Sequence, residues 1–364
     1  MTLETFTQTL YQFNEGIEKG LHLGGQLVVI HRGNLCMNQA FGLTAPDGDR
    51  CTTEHVFLWM SSGKPVTAVA IAQLIQIGLL NYQTKVAEII PDFGSGGKEA
   101  VTVGHILSQS AALRGADVIE AATREEILEQ IYTLRLDAGQ VPGQHAGYHV
   151  GGTWLVLGEI ILRLTGSKSE DYLREHIFGP LGMDQSSLGK PEHEDPQQFV
   201  TMYDTYGSQA SVHPLYGTAA AVQMPRPGRN IRGPVCELAR FYAALRLVLR
   251  GESDFLRREA LEEMILPQRP AGMKDLTFGH PADFGYGFYL HPDKYGKGKS
   301  TYGYGQYASE LSFGHSGAQS SCAFYDPAAD VIVAWVVNGM PGEPRHQRRA
   351  RAINEAVYRD LQNL

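Results

Sequence analysis

Ser61 and Lys64 are the two residues of this chain whose types and spacing point most directly to chemistry. They lie three positions apart, as Ser-x-x-Lys, within residues 59–65. Side chains three apart on a helix share one face, so the serine hydroxyl and the lysine amine can meet. A serine becomes a good nucleophile when a base takes its proton, and an amine whose pKa is lowered from about 10.4 can be that base. The competing interpretation is structural, since a serine near a helix start is commonly a cap.

A helix directly after Ser61 is expected to hold this pair. Apolar residues recur at helical spacing from Val66 to Ile77, which predicts a helix over residues 66–80. Pro65 is tolerated only near a helix start, where its missing N–H is not needed. Ser61 is therefore expected at or just before the first turn.

The two ends of the chain predict the strands of one antiparallel sheet. A strand rich in β-branched residues at 26–31 and a partner strand at 35–41 surround a turn, and strands at 321–325 and 331–337 surround another. An amphipathic helix pattern that begins at Leu3 precedes the first pair, and a second helix pattern ends the chain. Helices at the termini are thus expected to flank the sheet.

The middle of the chain is mainly helical. The clearest helix patterns there lie at about residues 101–107, 119–136, 152–164 and 235–249. Strands, then helices, then strands predict an α+β fold, in which a large, mainly helical lobe is inserted into the sheet lobe. We expect residues 1–58 plus 270–364 to form the sheet lobe and residues 59–269 the helical lobe, with the active site between them.

Composition excludes several other classes of protein. The 364 residues are 43% hydrophobic and 19% charged, as in compact globular chains. A formal net charge of −8 argues against nucleic acid as a partner. The four cysteines are scattered and form no Cys-x-x-Cys pair, so neither a zinc cluster nor a disulfide framework is predicted. No basic and apolar leader and no membrane-length apolar run occurs, so we expect a cytoplasmic protein without membrane partners.

A different serine hydrolase fold would place the nucleophile elsewhere. An α/β-hydrolase carries Gly-x-Ser-x-Gly on a strand-to-helix elbow, and residues 314–318 come nearest to that motif. The segment ends in Ala318 rather than glycine, and the residues after it predict a hairpin instead of a helix. This alternative is therefore rejected.

Two further groups of residues suggest ligands only weakly. His145 and His149 have the spacing of two metal ligands on a helix, but Gly147 interrupts the helix and no third ligand is evident. Three arginines in the loop-rich segment 185–232 could meet an anionic substrate, although a solvated loop is the preferred interpretation: Arg226, Arg229 and Arg232. No metal site is predicted.

Three separated motifs occur in an order that resembles a known enzyme superfamily. They are Ser61-x-x-Lys64, Tyr148-His149-Val150 and His315-Ser316-Gly317. This set resembles the serine β-lactamase and penicillin-binding-protein superfamily, most of all the class C branch with the family VIII carboxylesterases and related transacylases. The resemblance implies a β-lactamase/transpeptidase-like fold and a serine acyl hydrolase that needs no cofactor.

The resemblance also implies roles for individual residues. Ser61 would be the acylated nucleophile, and Lys64 and Tyr148 would be the general-base pair. The backbone N–H groups of Ser61 and Ala318 would form the oxyanion hole, where donors stabilise the charge that develops on the carbonyl oxygen. His315, with Ser316 and Gly317 after it, would border the substrate where lysine is common in the superfamily.

Departures from the superfamily pattern limit what transfers to this chain. Val150 stands where an asparagine usually binds a substrate amide, which weakens the case for β-lactams and peptides. His315, with an ordinary pKa near 6.5, is a weaker anchor for a substrate carboxylate than lysine. The class A deacylation motif is absent, because Glu170-x-x-Leu173 is followed by Arg174. Water attack would then use the Lys64/Tyr148 pair.

These observations favour one function and leave three alternatives open. The preferred function is hydrolysis of carboxylic esters or related acyl bonds of a small molecule. The alternatives are transfer of the acyl group to an alcohol or amine, action as a β-lactamase or D-amino-acid peptidase, and a non-catalytic scaffold of the same fold. The presence of Ser61, Lys64 and Tyr148 argues against the scaffold, and the number of subunits is left open.

Overall fold

A computed structural model describes residues 5–118, 123–189, 198–218, 222–296 and 300–362. The α-helices are α1 Thr7–Glu18, α2 Lys64–Gln76, α3 Val86–Ile89, α4 Val103–Leu107, α5 Arg124–Thr133, α6 Gly152–Thr165, α7 Ser169–Leu173, α8 Val235–Leu249, α9 Arg258–Met264 and α10 Glu343–Gln362. The strands of the large sheet are β1 Gly24–His31, β2 Asn34–Gly42, β8 Asp283–Phe284, β9 Tyr289–Leu290, β10 Phe313–Gly317, β11 Ser321–Asp326 and β12 Val331–Val337. The shorter strands are β3 Phe57–Leu58, β4 Ser187–Leu188, β5 Tyr203–Asp204, β6 Ser211–Val212, β7 Ile231–Gly233 and β13 Gly339–Met340.

One seven-stranded antiparallel sheet joins the two ends of the chain. Its strand order is β2-β1-β12-β11-β10-β9-β8, so the N-terminal hairpin pairs with the C-terminal strands through β1 and β12. The predicted shared sheet and the predicted α+β class are therefore confirmed. Strand β9 is only two residues long, because the chain turns just before it at Gly287, whose φ is +86°.

Helices cover both faces of this sheet, which explains its apolar strands. All seven residues of β12 are buried. Because side chains alternate along a strand, Leu27 and Val29 face the terminal helices α1 and α10, whereas Val28 faces the core shared with α8. The terminal helices flank the sheet as expected, although Leu3, where the first pattern began, lies outside the described residues.

The helix after Ser61 lies at the centre of the molecule. Ten of the 13 residues of α2 are buried, so its apolar residues cover the whole circumference. The helix ends at Gln76 rather than at the predicted residue 80, because Gly78 takes a left-handed conformation with φ +79° and reverses the chain. The helix predicted from residue 119 begins at Arg124 after a Thr123 capping box, and residues 119–122 lie outside the described part.

The lobe boundaries remain a prediction. Helix α8 was assigned to the helical lobe, yet it packs directly on β1 and β12. Within the described residues, no helix is both long and apolar enough to cross a membrane.

Candidate active site

Ser61 lies in a tight turn that leads into α2. Residues Met60–Gly63 form one 3₁₀ turn, and Met60 has a left-handed φ of +50°. A non-glycine residue in this region is strained, and such strain often occurs beside functional residues. The Trp59 indole fixes the start of the turn by donating to the Gly233 carbonyl oxygen at 2.8 Å. Ser61 is thereby held at the wall of a cavity while its side chain stays largely buried.

Lys64, the first residue of α2, is brought to the Ser61 hydroxyl. The Lys64 Nζ is 3.1 Å from Ser61 Oγ, and it donates to the carbonyl oxygens of Val150 and Gly228 at 2.6 Å each. The side chain is fully buried, and the rings of Tyr148 and Trp154 lie 5.2 Å from Nζ. The predicted Ser–Lys contact is therefore present, and two carbonyls from distant loops orient the amine.

Tyr148 reaches the same site from an irregular segment before α6. Its backbone N–H donates to Asp275 Oδ1 at 3.0 Å, and its carbonyl oxygen accepts a hydrogen bond from Thr277 Oγ1 at 2.9 Å. Asp275 in turn pairs with Arg269 at 2.9 Å, and both side chains are fully buried. The Tyr148 ring stacks on Phe278 and lines the cavity. Sequence reasoning missed Arg269 and Asp275, since no local motif links them to a tyrosine more than 100 residues away.

Strand β10 places the third motif directly against the Ser61 turn. A Cβ atom on Gly317 would lie 2.6 Å from the Trp59 carbonyl oxygen and 2.7 Å from Met60 Cβ, so only glycine fits. Two serine hydroxyls fasten the contact: Ser62 Oγ donates to the His315 carbonyl oxygen at 3.1 Å, and Ser321 Oγ donates to the Trp59 carbonyl oxygen at 2.6 Å. Ser62 is thus a structural residue and not a second nucleophile candidate.

Two backbone N–H groups are available at this junction. Ser61 and Ala318 both line the cavity. Among the described residues, neither of their N–H groups donates to a protein acceptor. Unpaired donors at a cavity wall have the character of an oxyanion hole, because they can bind the oxygen of an attacked carbonyl.

His315 is buried in a way that keeps it neutral. Its Nδ1 is 2.8 Å from the Ser316 carbonyl oxygen, and since a carbonyl only accepts, Nδ1 carries the proton and Nε2 is left as an acceptor. Burial lowers the pKa of His315 to about 3. Nε2 has no partner among the described residues, and the ring lines the cavity. At neutral pH His315 is therefore a polar, uncharged group, which makes it an even weaker anchor for a carboxylate than its ordinary pKa implied. Ser316 Oγ donates to the Tyr302 carbonyl oxygen at 3.3 Å.

The three arginines of the loop-rich segment do not lie in a solvated loop, which was the preferred interpretation of the sequence. Residues 226–232 are buried and are not a solvated loop, and none of the three arginines there lines the cavity: Arg226, Arg229 and Arg232. Residues 226–232 are buried because their backbone packs on α2, where Thr67 Oγ1 donates to the Pro227 carbonyl oxygen at 2.9 Å. This packing presents the Gly228 carbonyl to Lys64.

The described residues support neither the histidine metal site nor the nucleophile elbow. His149 is fully buried, whereas His145 accepts a hydrogen bond from the Val141 N–H at 3.0 Å. In the described ranges, no three His, Cys, Asp or Glu side chains are grouped so that they could hold a metal ion. Ser316 lies within β10 and is followed by β11, so residues 314–318 do not form a strand-to-helix elbow.

The cavity that joins these groups has a volume of about 460 Å³. Its described lining combines the catalytic candidates with many aromatic and few charged side chains: Ser61, Tyr148, Val150, His213, Tyr216, Thr277, Phe278, Tyr289, Thr301, Tyr302, His315, Ser316, Ala318, Gln319, Met340, Glu343 and Gln347. It thus has the size and the mainly apolar lining of a small-molecule site.

A family model described as Beta-lactamase matches residues 12–358 of this sequence. The chain belongs to the beta-lactamase family. This beta-lactamase-family serine hydrolase is 26% identical over 324 residues to "Penicillin-binding protein 4" of Amycolatopsis lactamdurans, covering 87% of this chain and 81% of that protein. It is 28% identical over 311 residues to "Esterase/beta-lactamase LipL" of Mycobacterium tuberculosis, covering 76% and 68%.

The solved structures support the same fold. "EstCE1, a hydrolase with promiscuous acyltransferase activity" superposes on this beta-lactamase-family chain with a TM-score of 0.80 at 17% sequence identity. The superposition covers 98% of this chain and 99% of that one.

Proposed function

We propose that this beta-lactamase-family serine hydrolase cleaves carboxylic esters of small molecules through an acyl-Ser61 intermediate. The observation that carries the proposal is the 3.1 Å approach of Lys64 Nζ to Ser61 Oγ at the wall of the cavity. A serine that only capped the helix would need no buried amine beside its hydroxyl. The name of LipL, which includes both esterase and beta-lactamase, agrees with such chemistry in a relative.

The contacts support a division of labour in acylation. A neutral Lys64 amine has two N–H donors, which match the Val150 and Gly228 carbonyls, and keeps its lone pair for the Ser61 proton. As that proton leaves, Ser61 Oγ bonds to the ester carbonyl carbon, and the Ser61 and Ala318 N–H groups stabilise the oxyanion. Collapse of the intermediate breaks the bond to the alkoxide, which takes the proton back through Lys64 and Tyr148.

Deacylation reverses these roles with water as the nucleophile. The Lys64/Tyr148 pair takes a proton from water, the new oxygen–carbon bond forms, and Ser61 Oγ leaves with the proton. The products are a carboxylic acid and the free enzyme. No step requires a metal or an organic cofactor.

Two features of the cavity favour esters over β-lactams and peptides. Val150 presents an apolar side chain where a substrate amide would need a hydrogen-bonding partner. No lysine or arginine lies among the described residues of the lining, and His315 is neutral there. The carboxylate of a penicillin, a cephalosporin or a peptide C-terminus would thus lose water without gaining a cationic partner, which is costly.

Acyl transfer to an alcohol is the second candidate. It is favoured by the aromatic lining, which offers an organic acceptor apolar contacts that water does not need. Hydrolysis and transfer share the acyl-Ser61 intermediate and differ only in the group that attacks it. The fraction of acyl product found as a new ester when an alcohol is added measures the partition directly.

A turnover panel tests the proposed function. Wild type, Ser61→Ala and Ser62→Ala are compared on p-nitrophenyl acetate, p-nitrophenyl butyrate and a chromogenic cephalosporin. The expected result is ester turnover by wild type, slower but measurable turnover by Ser62→Ala, whose hydroxyl fastens β10 to the turn, and none by Ser61→Ala. Cephalosporin turnover with a kcat/KM above that of the esters would overturn the ester preference, and ester turnover by Ser61→Ala would overturn the mechanism.

A further inference from the structure

Glu343 places a negatively charged side chain at the mouth of the cavity. It is the one Asp, Glu, Lys or Arg among the described residues that line the cavity. It lies in the first turn of α10, is exposed, and forms no ion pair with a described basic side chain. Its Oε1 accepts a hydrogen bond from the Tyr302 hydroxyl at 2.6 Å. A fixed carboxylate thus faces the space that a substrate must enter.

Aromatic rings surround the same space. Tyr302 and Phe278 have ring centroids 6.4 Å apart, and Tyr148 stacks on Phe278 at 5.1 Å. Tyr216 lines the cavity beside His213, with ring centroids 5.0 Å apart. Aromatic faces carry negative potential and attract cations, and quaternary ammonium ligands are commonly bound by such groups of rings.

We propose that the cavity selects esters that carry an ammonium group, with Glu343 and the surrounding rings as the recognition element. This inference rests on the proposed ester hydrolysis at Ser61 and names its substrate class. The carboxylate supplies the opposite charge. The rings supply a surface on which an alkylated ammonium makes better contacts than water makes. The same charge disfavours acyl groups or alcohols that carry a carboxylate.

Matched pairs of esters isolate the charge from size and shape. For the alcohol side, acetylcholine is compared with 3,3-dimethylbutyl acetate, in which carbon replaces the quaternary nitrogen. For the acyl side, the p-nitrophenyl ester of 4-(trimethylammonio)butanoic acid is compared with that of 5,5-dimethylhexanoic acid. For each pair, the kcat/KM of the cationic ester is divided by the kcat/KM of the neutral ester. The reactivity of Ser61 largely cancels in this ratio.

Glu343→Gln is the test variant, and Glu129→Gln is its control. Glutamine keeps the shape of the side chain and can still accept from the Tyr302 hydroxyl. Glu129 is exposed on α5 and does not line the cavity, so its replacement changes the net charge alone. We expect a ratio above one for at least one pair in wild type, and a fall of about fivefold in Glu343→Gln but not in Glu129→Gln.

The outcomes separate this inference from the proposed function. Hydrolysis of the neutral esters with equal ratios in wild type and Glu343→Gln would overturn ammonium selection and leave ester hydrolysis standing. Failure to hydrolyse any of the four esters by a sample that does turn over p-nitrophenyl acetate would overturn ammonium selection alone. Failure on p-nitrophenyl acetate as well, with folding confirmed by circular dichroism, would overturn both. If Glu129→Gln reduces the preference for the cationic ester as much as Glu343→Gln does, the preference arises from net charge. That result would also overturn the proposed recognition element.

Discussion

Gly317→Ala is expected to disable the site without removing any catalytic group. The added methyl carbon would lie 2.6 Å from the Trp59 carbonyl oxygen and 2.7 Å from Met60 Cβ, with Ser321 Oγ closer still. Favourable contacts of carbon lie at about 3.5–4.0 Å, so β10 and the Ser61 turn must separate by about 1 Å. Neither the carbonyl nor the Met60 Cβ can rotate away, because both belong to the turn itself.

The separation falls directly on the two N–H groups of the proposed oxyanion hole. Ser61 belongs to the turn and Ala318 follows β10, so moving these elements apart pulls the donors apart. A misplacement of about 1 Å can cost about 100-fold in rate, and loss of one oxyanion donor costs about 100-fold to 1,000-fold. We therefore expect kcat for a p-nitrophenyl ester to fall at least ~100-fold.

The assay needs a control for adding a methyl group to a glycine. Gly207→Ala is suitable, because the nearest atom to its added Cβ would be the Gln209 carbonyl oxygen at 3.9 Å. Both variants are checked by thermal unfolding and then assayed at saturating ester. A folded Gly317→Ala enzyme with kcat within threefold of wild type would refute the link between this contact and the oxyanion hole.

Three further predictions follow from the contacts of the site. Lys64→Ala and Tyr148→Phe should each lower kcat at least ~100-fold, the scale of general-base catalysis, and a Tyr148→Phe enzyme with normal kcat would exclude Tyr148 from proton transfer. Asp275→Asn leaves the buried Arg269 without its anionic partner, so we expect about 3 kcal/mol or more of lost stability in urea unfolding and a lower kcat in the folded fraction; unchanged stability would contradict this. His315→Gln should make stability less sensitive to acid. The pKa of His315 is about 3 in the folded chain and about 6.5 when unfolded, so its stabilising effect is complete above pH 6.5 and is lost as the pH falls toward 3. Between these values, wild type should lose about 1.4 kcal/mol more per pH unit than His315→Gln, and parallel pH curves would contradict the neutral histidine.

Local patterns predicted the elements that carry strong periodicity. The hairpin strands β1, β2, β11 and β12 follow from runs that surround turns, and helices α6 and α8 follow from helical spacing in the sequence. Errors occurred where a single residue reverses the chain, as Gly78 does at the end of α2. Residue type alone does not show which conformation a glycine takes, so such boundaries depend on tertiary contacts.

The site was predictable only where it consists of ordered motifs. Ser61, Lys64, Tyr148 and the motif His315-Ser316-Gly317 became candidates because their spacing or order carries the pattern. The contact of the Gly228 carbonyl with Lys64 was not predicted, because every residue has a backbone carbonyl and residue type does not show which one acts as an acceptor. Burial lowers the pKa of His315 below its ordinary value, and burial is a property of packing that the motif does not contain.

The most direct test of the central claim is intact-protein mass spectrometry after incubation with a fluorophosphonate probe. Wild type and Ser62→Ala should each gain the mass of one probe, the modified peptide should contain Ser61, and Ser61→Ala should gain none. A label that persists in Ser61→Ala, or a folded wild type that resists the probe and turns over no ester, would contradict an acyl-Ser61 mechanism.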